Sequence, residues 1–189
     1  MTEATTETTD ILDRKLERAF ELLDSDANGE LVEADLLVLA DRLAAAFERG
    51  DDPARKGRLR TALHRIWQDH LAGMDDDGNG YVDMDEFTRG FRAAGSTNRE
   101  KLLGDLSEVV AAWMDLVDIN GNGRIDVDEY RQMYESAFGI TPEDLEYGFR
   151  QLDLDGSGEL DEQELRQATE EYYTSTDPDA PGNWLFGPL

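Results

Sequence analysis

The chain of 189 residues contains no cysteine, two histidines, five methionines and only three lysines, Lys15, Lys56 and Lys101. Without cysteine there are no disulfides and no thiolate metal sites, which leaves the redox compartment open. No apolar run approaches the ~20 residues of a membrane-spanning helix, so membrane insertion is not expected. Met1 to Asp10 is rich in Thr and Glu and lacks the basic and apolar regions of an export signal, so the expected location is the cytoplasm. Positive charge is scarce as well. Lys and Arg number 18 against 44 Asp and Glu, a formal net charge of -26. Such a surface repels nucleic-acid phosphates and anionic membranes, which makes cations the natural partners. The histidines, His64 and His70, are six residues apart and fall on different helix faces, outside the i, i+4 spacing of a zinc pair. No enzyme is expected.

What is present is a repeated acidic loop. Asp75-Asp76-Asp77-Gly78-Asn79-Gly80-Tyr81-Val82-Asp83-Met84-Asp85-Glu86 places oxygen side chains at its first, third, fifth and ninth positions. A carbonyl at the seventh and a carboxylate at the twelfth complete a shell for one hard cation. Gly80 at the sixth position allows the sharp bend, and Val82 at the eighth can face a core. Three more loops begin at Asp24, Asp118 and Asp153. Each has Gly at the sixth position (Gly29, Gly123, Gly158) and an aliphatic at the eighth (Leu31, Ile125, Leu160).

The candidate ligands differ in one loop. The second loop offers Asp75, Asp77, Asn79, the Tyr81 carbonyl, Asp83 and Glu86. The third offers Asp118, Asn120, Asn122, the Arg124 carbonyl, Asp126 and Glu129, and the fourth Asp153, Asp155, Ser157, the Glu159 carbonyl, Asp161 and Glu164. The ninth-position Asp of each can act through a water, and the twelfth-position Glu can give both oxygens, as calcium prefers. The first loop has Asp24, Asp26, Asn28 and the Glu30 carbonyl, but Val32 at the ninth position and Asp35 at the twelfth. The shorter Asp35 implies a monodentate last ligand and lower coordination, so this site is expected to be weak for calcium or to take magnesium. Three to four calcium ions are expected in all. Gathered carboxylates repel one another, so metal should also stabilise the fold.

Four loops matching D-x-[DN]-x-[DN]-G-x5-E or nearly so resemble the EF-hand superfamily over almost the whole chain. The resemblance implies an all-α fold of four helix-loop-helix motifs in two pairs, packed into a compact globule. The loop starts are 51, 43 and 35 residues apart, unlike the near-even spacing of the calmodulin family. With the aromatic tail, this spacing is similar to that of the sarcoplasmic calcium-binding proteins and their prokaryotic relative calerythrin. That resemblance implies a compact pairing of two EF-hand pairs acting chiefly as a calcium buffer; a monomer is expected. Members commonly carry a degenerate hand, whereas all four loops here keep most ligands.

Taken in order, residues 1–9 are polar and of low complexity, and are expected to be disordered. Helical periodicity leads from Ile11, Leu12, Leu16, Ala19, Phe20 and Leu23 into the first loop and from Leu36, Leu39, Ala40, Leu43 and Phe47 out of it. Arg49-Gly50-Asp51-Asp52-Pro53 should end that helix. The next is expected over 53–74 on Leu59, Leu63, Ile66, Trp67, Leu71 and Met74. After Phe87 and Phe91, Ala94 to Asn98 reads as the boundary of a first pair, 10–95, followed by a linker, 96–104, and a second pair, 105–173. In the second pair Leu102, Leu106, Trp113 and Val117 precede the third loop, and Tyr130, Met133, Tyr134 and Phe138 follow it. Gly139 should cap that helix, and Thr141-Pro142-Glu143-Asp144 should start the next.

The tail, 174–189, contains Trp184, Leu185 and Phe186 after a Pro- and Gly-containing stretch. Three large apolar residues on a free end are expected to dock on the apolar cleft between the hands; a flexible tail or a motif for another protein is the alternative. Few methionines and rigid Trp, Phe and Leu faces favour a buffer that barely opens, and the alternative is a sensor that exposes a groove to a protein target.

Overall fold

The computed structural model describes residues 10–47, 52–138 and 141–189. They form eight α-helices: α1 (Ile11–Leu23), α2 (Glu33–Ala45), α3 (Pro53–Asp69), α4 (Met84–Thr97), α5 (Arg99–Val117), α6 (Val127–Phe138), α7 (Pro142–Leu152) and α8 (Glu162–Thr174). Two short strands, β1 (Ile125–Asp126) and β2 (Glu159–Leu160), pair antiparallel. No described helix is long and apolar enough to cross a membrane.

Helix starts follow local chemistry. Asp10 caps α1 by accepting from the Leu12 N–H at 2.8 Å. Asp52 caps α3 by accepting from Ala54 N–H at 2.9 Å, with Pro53 in the first turn, and the Thr141 hydroxyl caps α7. These bonds satisfy donors that have no partner inside the helix. The expected disorder of 1–9, the breaker at 49–51 and the Gly139 cap lie outside the described residues.

Two boundaries differ from the periodicity. The pattern predicts one helix over 53–74, yet α3 stops at Asp69, His70 turns away at φ -131° and ψ -62°, and Leu71–Met74 forms a 3-10 turn. Packing is the reason. The turn sits so close to α4 that a Cβ on Gly90 would lie 2.4 Å from Met74 Cγ, while the His70 side chain turns inward to bond Asp105. The stretch expected to be a linker, 96–104, is helical on both sides of Asn98. There the Ser96 and Thr97 hydroxyls donate back to the Arg92 and Ala93 carbonyls, at 3.0 and 2.8 Å, and α4 continues to Thr97.

One hydrophobic core runs through both halves of the chain. Its spine is aromatic: Phe20 meets Phe87 edge-on at 5.5 Å, Phe87 meets Phe91 at 4.6 Å, and Phe91 stacks on Tyr173 of α8 at 5.0 Å. Such pairs add about 0.5–1.5 kcal/mol each beyond their buried area. At the centre is an apolar cavity of about 140 Å³, lined by residues that include Leu43, Leu63, Leu106 and Trp113, with Leu185 and Phe186 from the tail forming part of its wall.

The tail is folded onto α7 and α8. Pro181–Trp184 makes a 3-10 turn, and Leu185 is buried. The Tyr134 hydroxyl donates to the Leu185 carbonyl, Gly182 N–H donates to Glu171 at 2.8 Å, and Trp184 meets Tyr147 at 4.5 Å. Gly182 is required by contact: a Cβ there would lie 2.5 Å from the Ala168 carbonyl oxygen.

Lys15 ties the first helix to the last. It is 0% exposed, and its Nζ donates to the Glu171 and Ser175 carbonyls at 2.8 and 2.9 Å, capping α8, while Tyr172 donates its hydroxyl to the Lys15 carbonyl at 2.7 Å. Burial lowers the Lys15 ammonium from its ordinary 10.5 to about 8, against the opposing pull of Glu171. Below about 8 both folded and unfolded chains hold this proton. Above that value the unfolded chain holds more of it, so stability rises with pH until the lysine deprotonates in the unfolded chain too. The buried Tyr130, Tyr134, Tyr172 and Tyr173 phenols are pushed upward by burial, so their ionisation in the unfolded chain opposes this above about pH 10. Between pH 8 and 10 the wild type is therefore expected to gain about 2 kcal/mol relative to Lys15→Met, measured by urea unfolding at each pH. Parallel pH dependences for the two proteins would show that the ammonium is not desolvated.

Candidate metal centres

The four loops share a backbone path. The sixth-position glycines are left-handed, with φ +79° at Gly29, +97° at Gly80, +79° at Gly123 and +84° at Gly158. The fourth position is left-handed as well, at Gly78, Gly121 and Gly156, and at Ala27 with φ 56°. A side chain in that region costs about 1–2 kcal/mol. Ala27 thus strains the first loop's backbone, a feature legible in the sequence as the one loop whose fourth residue is not Gly.

The first-position Asp organises each turn. Asp75 accepts from Gly78, Asn79 and Gly80 N–H at 2.8–3.1 Å. Asp118 accepts from Gly121, Asn122 and Gly123 N–H, and Asp153 from Ser157 and Gly158 N–H. In the first loop Asp24 accepts from Asn28 and Gly29 N–H. Fifth-position side chains turn back in the same way, with Asn79 and Asn122 accepting from the seventh-position N–H at 3.0 and 2.8 Å.

The twelfth position separates the loops. In the second loop one oxygen of Glu86 accepts from Asp76 N–H at 2.9 Å and the other from Asp83 N–H at 3.0 Å. Glu129 spans Ile119 and Asp126, and Glu164 spans Leu154 and Asp161, in the same manner. The ninth-position Asp returns the bond to the Glu N–H, so positions nine to twelve are also the capping box of the exiting helix. Asp35 reaches only the ninth-position N–H, of Val32, at 3.0 Å. The missing methylene costs it the second position. There Ser25 supplies a substitute, its hydroxyl donating to the Asp35 carbonyl at 2.9 Å, a residue that ligand-pattern reading passed over.

Three groups bring carboxylate oxygens within 4.8 Å of one another: Asp24, Asp26 and Asp35; Asp75, Asp77 and Glu86; Asp153, Asp155 and Glu164. Two such charges repel by about 1 kcal/mol in water and about 3 at an effective dielectric of 20. A divalent cation offsets that repulsion, and an all-oxygen donor set suits a hard one. The third loop is not among these groups because an amide, Asn120, holds the third position where the other loops have Asp, although its backbone follows the same path. The Ser157 hydrogen bonds hold the Asp155 carboxyl below its ordinary range, keeping it ionised.

Adjacent loops meet back to back at their eighth positions. Leu31 and Val82 exchange two backbone bonds of 3.0 Å, and Ile125 pairs with Leu160. Beside the second bridge Asn122 donates to Glu159 at 3.1 Å. His64, exposed, pairs with Glu33, and His70, buried, with Asp105 at 2.8 Å; neither touches the other.

Helices flanking glycine-bent, oxygen-lined loops of 12 residues define a helix-loop-helix protein that binds hard cations. Family models agree: the EF-hand domain pair matches residues 60–135 and the EF hand residues 147–168. The chain belongs to the EF-hand superfamily and is a calcium-binding protein. The first loop lies outside both matched stretches. No curated protein sequence matches the chain. Among solved structures, a calcium-binding protein of Streptomyces coelicolor is 24% identical with a TM-score of 0.74, over 88% of this chain and 99% of that one. Calcium-loaded apo-aequorin from Aequorea victoria is 23% identical with a TM-score of 0.72, over 88% and 92%. Calcium-loaded apo-berovin from the ctenophore Beroe abyssicola is 24% identical with a TM-score of 0.68, over 85% and 87%. These likenesses concern the fold.

Proposed function

We propose that the chain is a cytoplasmic calcium buffer, a monomer of four EF hands in two pairs, 10–95 and 105–173. The observation that carries this reading is the tail: Leu185 and Phe186 line the central cavity, on the apolar surface where a sensor would hold a target helix. With that surface filled from within, calcium binding recruits no protein, and no enzymatic role is assigned. Calcium is held by Asp75, Asp77, Asn79, Asp83 and Glu86, by Asp118, Asn120, Asn122, Asp126 and Glu129, and by Asp153, Asp155, Ser157, Asp161 and Glu164. The carbonyls of Tyr81, Arg124 and Glu159 complete these three sets. Asp24, Asp26, Asn28, the Glu30 carbonyl and Asp35 form a weak fourth site suited to magnesium. Its support is the single reach of Asp35, the missing ninth ligand at Val32 and the left-handed Ala27.

Calorimetric calcium titration with and without millimolar magnesium tests this. Three tight sites insensitive to magnesium and one weak, magnesium-competed site are expected. Asp35→Glu should tighten the weak site for calcium, and Ala27→Gly should stabilise the protein by about 1 kcal/mol in urea unfolding by releasing the strain. A first loop that proves the tightest would refute the argument from side-chain reach, and a calcium-dependent peptide complex with the tail in place would favour a sensor.

A further inference from the structure

Helix α3 leads, through the turn at 71–74, into the second loop, and α5 leads directly into the third. These loops belong to different bridged pairs, and no described backbone bond joins them. The two incoming helices are nevertheless bolted together at both ends. At the start of α3, Arg58 donates Nε to Asp115 Oδ2 at 2.8 Å, and Arg55 donates to the Asp115 carbonyl. Asp115 is three residues ahead of Asp118, the first ligand of the third loop. At the other end, His70 Nε2 lies 2.8 Å from Asp105 Oδ2, and Lys101 Nζ bridges Asp69 and Asp105 at 2.9 and 3.0 Å. The His70 side chain is 3% exposed and Asp105 16%, so this pair is shielded from salt and water, whereas Lys101 and Asp69 are solvent-exposed. His70 is also the point where α3 breaks, so the bolt grips the hinge between α3 and the short turn that enters the second loop.

We propose that the bolted α3–α5 unit couples the second and third loops energetically, so that calcium at one raises the affinity of the other across the two halves. The proposal rests on both loops being calcium sites. Closing a 12-residue loop around an ion fixes the angle between its incoming and exiting helices. Here the incoming helix cannot shift without carrying its partner, because anchors at both ends oppose sliding and rotation. Coupling between loops of one pair needs only the short bridges; coupling between pairs needs this unit.

The test is a calcium titration of the full chain followed by the amide resonances of Gly80 and Gly123, each of which donates to its loop's first Asp, at 3.0 and 2.9 Å. Glu86→Gln disables the second loop. With the bolt intact it should weaken the third by about fivefold or more, the lower end of ordinary allosteric coupling. In Arg58→Gln/His70→Gln the same substitution should change the third loop by less than about twofold. Arg58→Gln alone, at an exposed position, should show an intermediate value and covers the case in which losing His70 unfolds the chain. A third loop indifferent to Glu86→Gln, or coupling undiminished by either bolt variant, overturns the proposal. If neither glycine responds to calcium in the wild type, the calcium reading falls and the coupling with it.

Discussion

Glu129→Gln is expected to remove one tight calcium site outright, and Glu86→Gln and Glu164→Gln one each, with affinity at the altered loop falling on the order of a hundredfold or more. Substitutions that only support a metal ligand already cost about 10–100-fold, and these strike the proposed ligand itself. The geometry explains why an isosteric change is so damaging. Each Glu carboxylate sits between the second- and ninth-position N–H groups, with an oxygen toward each. A glutamine side chain keeps one acceptor, turns an N–H toward the other donor and removes a charge. The third loop should suffer most, because Asn120 and Asn122 leave it only Asp118, Asp126 and Glu129 as anionic side-chain ligands. A hundredfold weaker site forfeits about 2.7 kcal/mol of calcium-linked stability at saturating calcium. In a protein of this size that lowers the melting temperature by roughly 5–10 °C. Calorimetry in calcium and in chelator separates the two effects: the variants should fall further below wild type in calcium than in chelator, where only the lost N–H acceptor is felt. Unchanged site counts in the variants would mean that the twelfth position does not hold the ion.

Deletion of residues 178–189 is expected to cost about 3 kcal/mol, as burial of Leu185 with the partly buried Trp184 and Phe186 contributes about 3–6 kcal/mol before the entropy of ordering the tail is subtracted. The truncated, calcium-loaded protein should also bind a hydrophobic dye, since the wall of the central cavity is gone and Tyr134 loses the carbonyl that accepts its hydroxyl. Gly182→Ala tests the same contact with one methyl group. It clashes with both the Ala168 carbonyl and the Glu171 Cβ, which lie 2.5 and 2.6 Å from the added carbon, and overpacking of this kind costs about 1–3 kcal/mol. Equal stability of the truncated and full-length chains, with Trp184 fluorescence that of a solvated indole, would remove the support for a filled cleft.

The metal loops were legible because their chemistry is local. Twelve consecutive residues carry the ligands, the bend and the cap of the next helix, so the pattern of Asp, Asn, Gly and Glu defines the site before any helix is placed. The shorter reach of Asp35 followed from one methylene, and the structure gives it a form, one N–H reached instead of two. The break at His70 was not legible, since Leu71 and Met74 continue the apolar period of α3. Periodicity reports which face is buried but not how closely Met74 approaches Gly90.

Residue order by itself determined the four loops and the apolar stripes that make the chain helical, because each depends on neighbours within a few turns. Tertiary structure alone decided that both halves share one core, that Lys15 caps a helix 156 residues away at Glu171, and that α3 and α5 are bolted at both ends. These features join groups whose sequence separation carries no information about distance. A buried ammonium or imidazole is tolerated only where the completed fold brings acceptors to it, so its role exists only once the helices have packed.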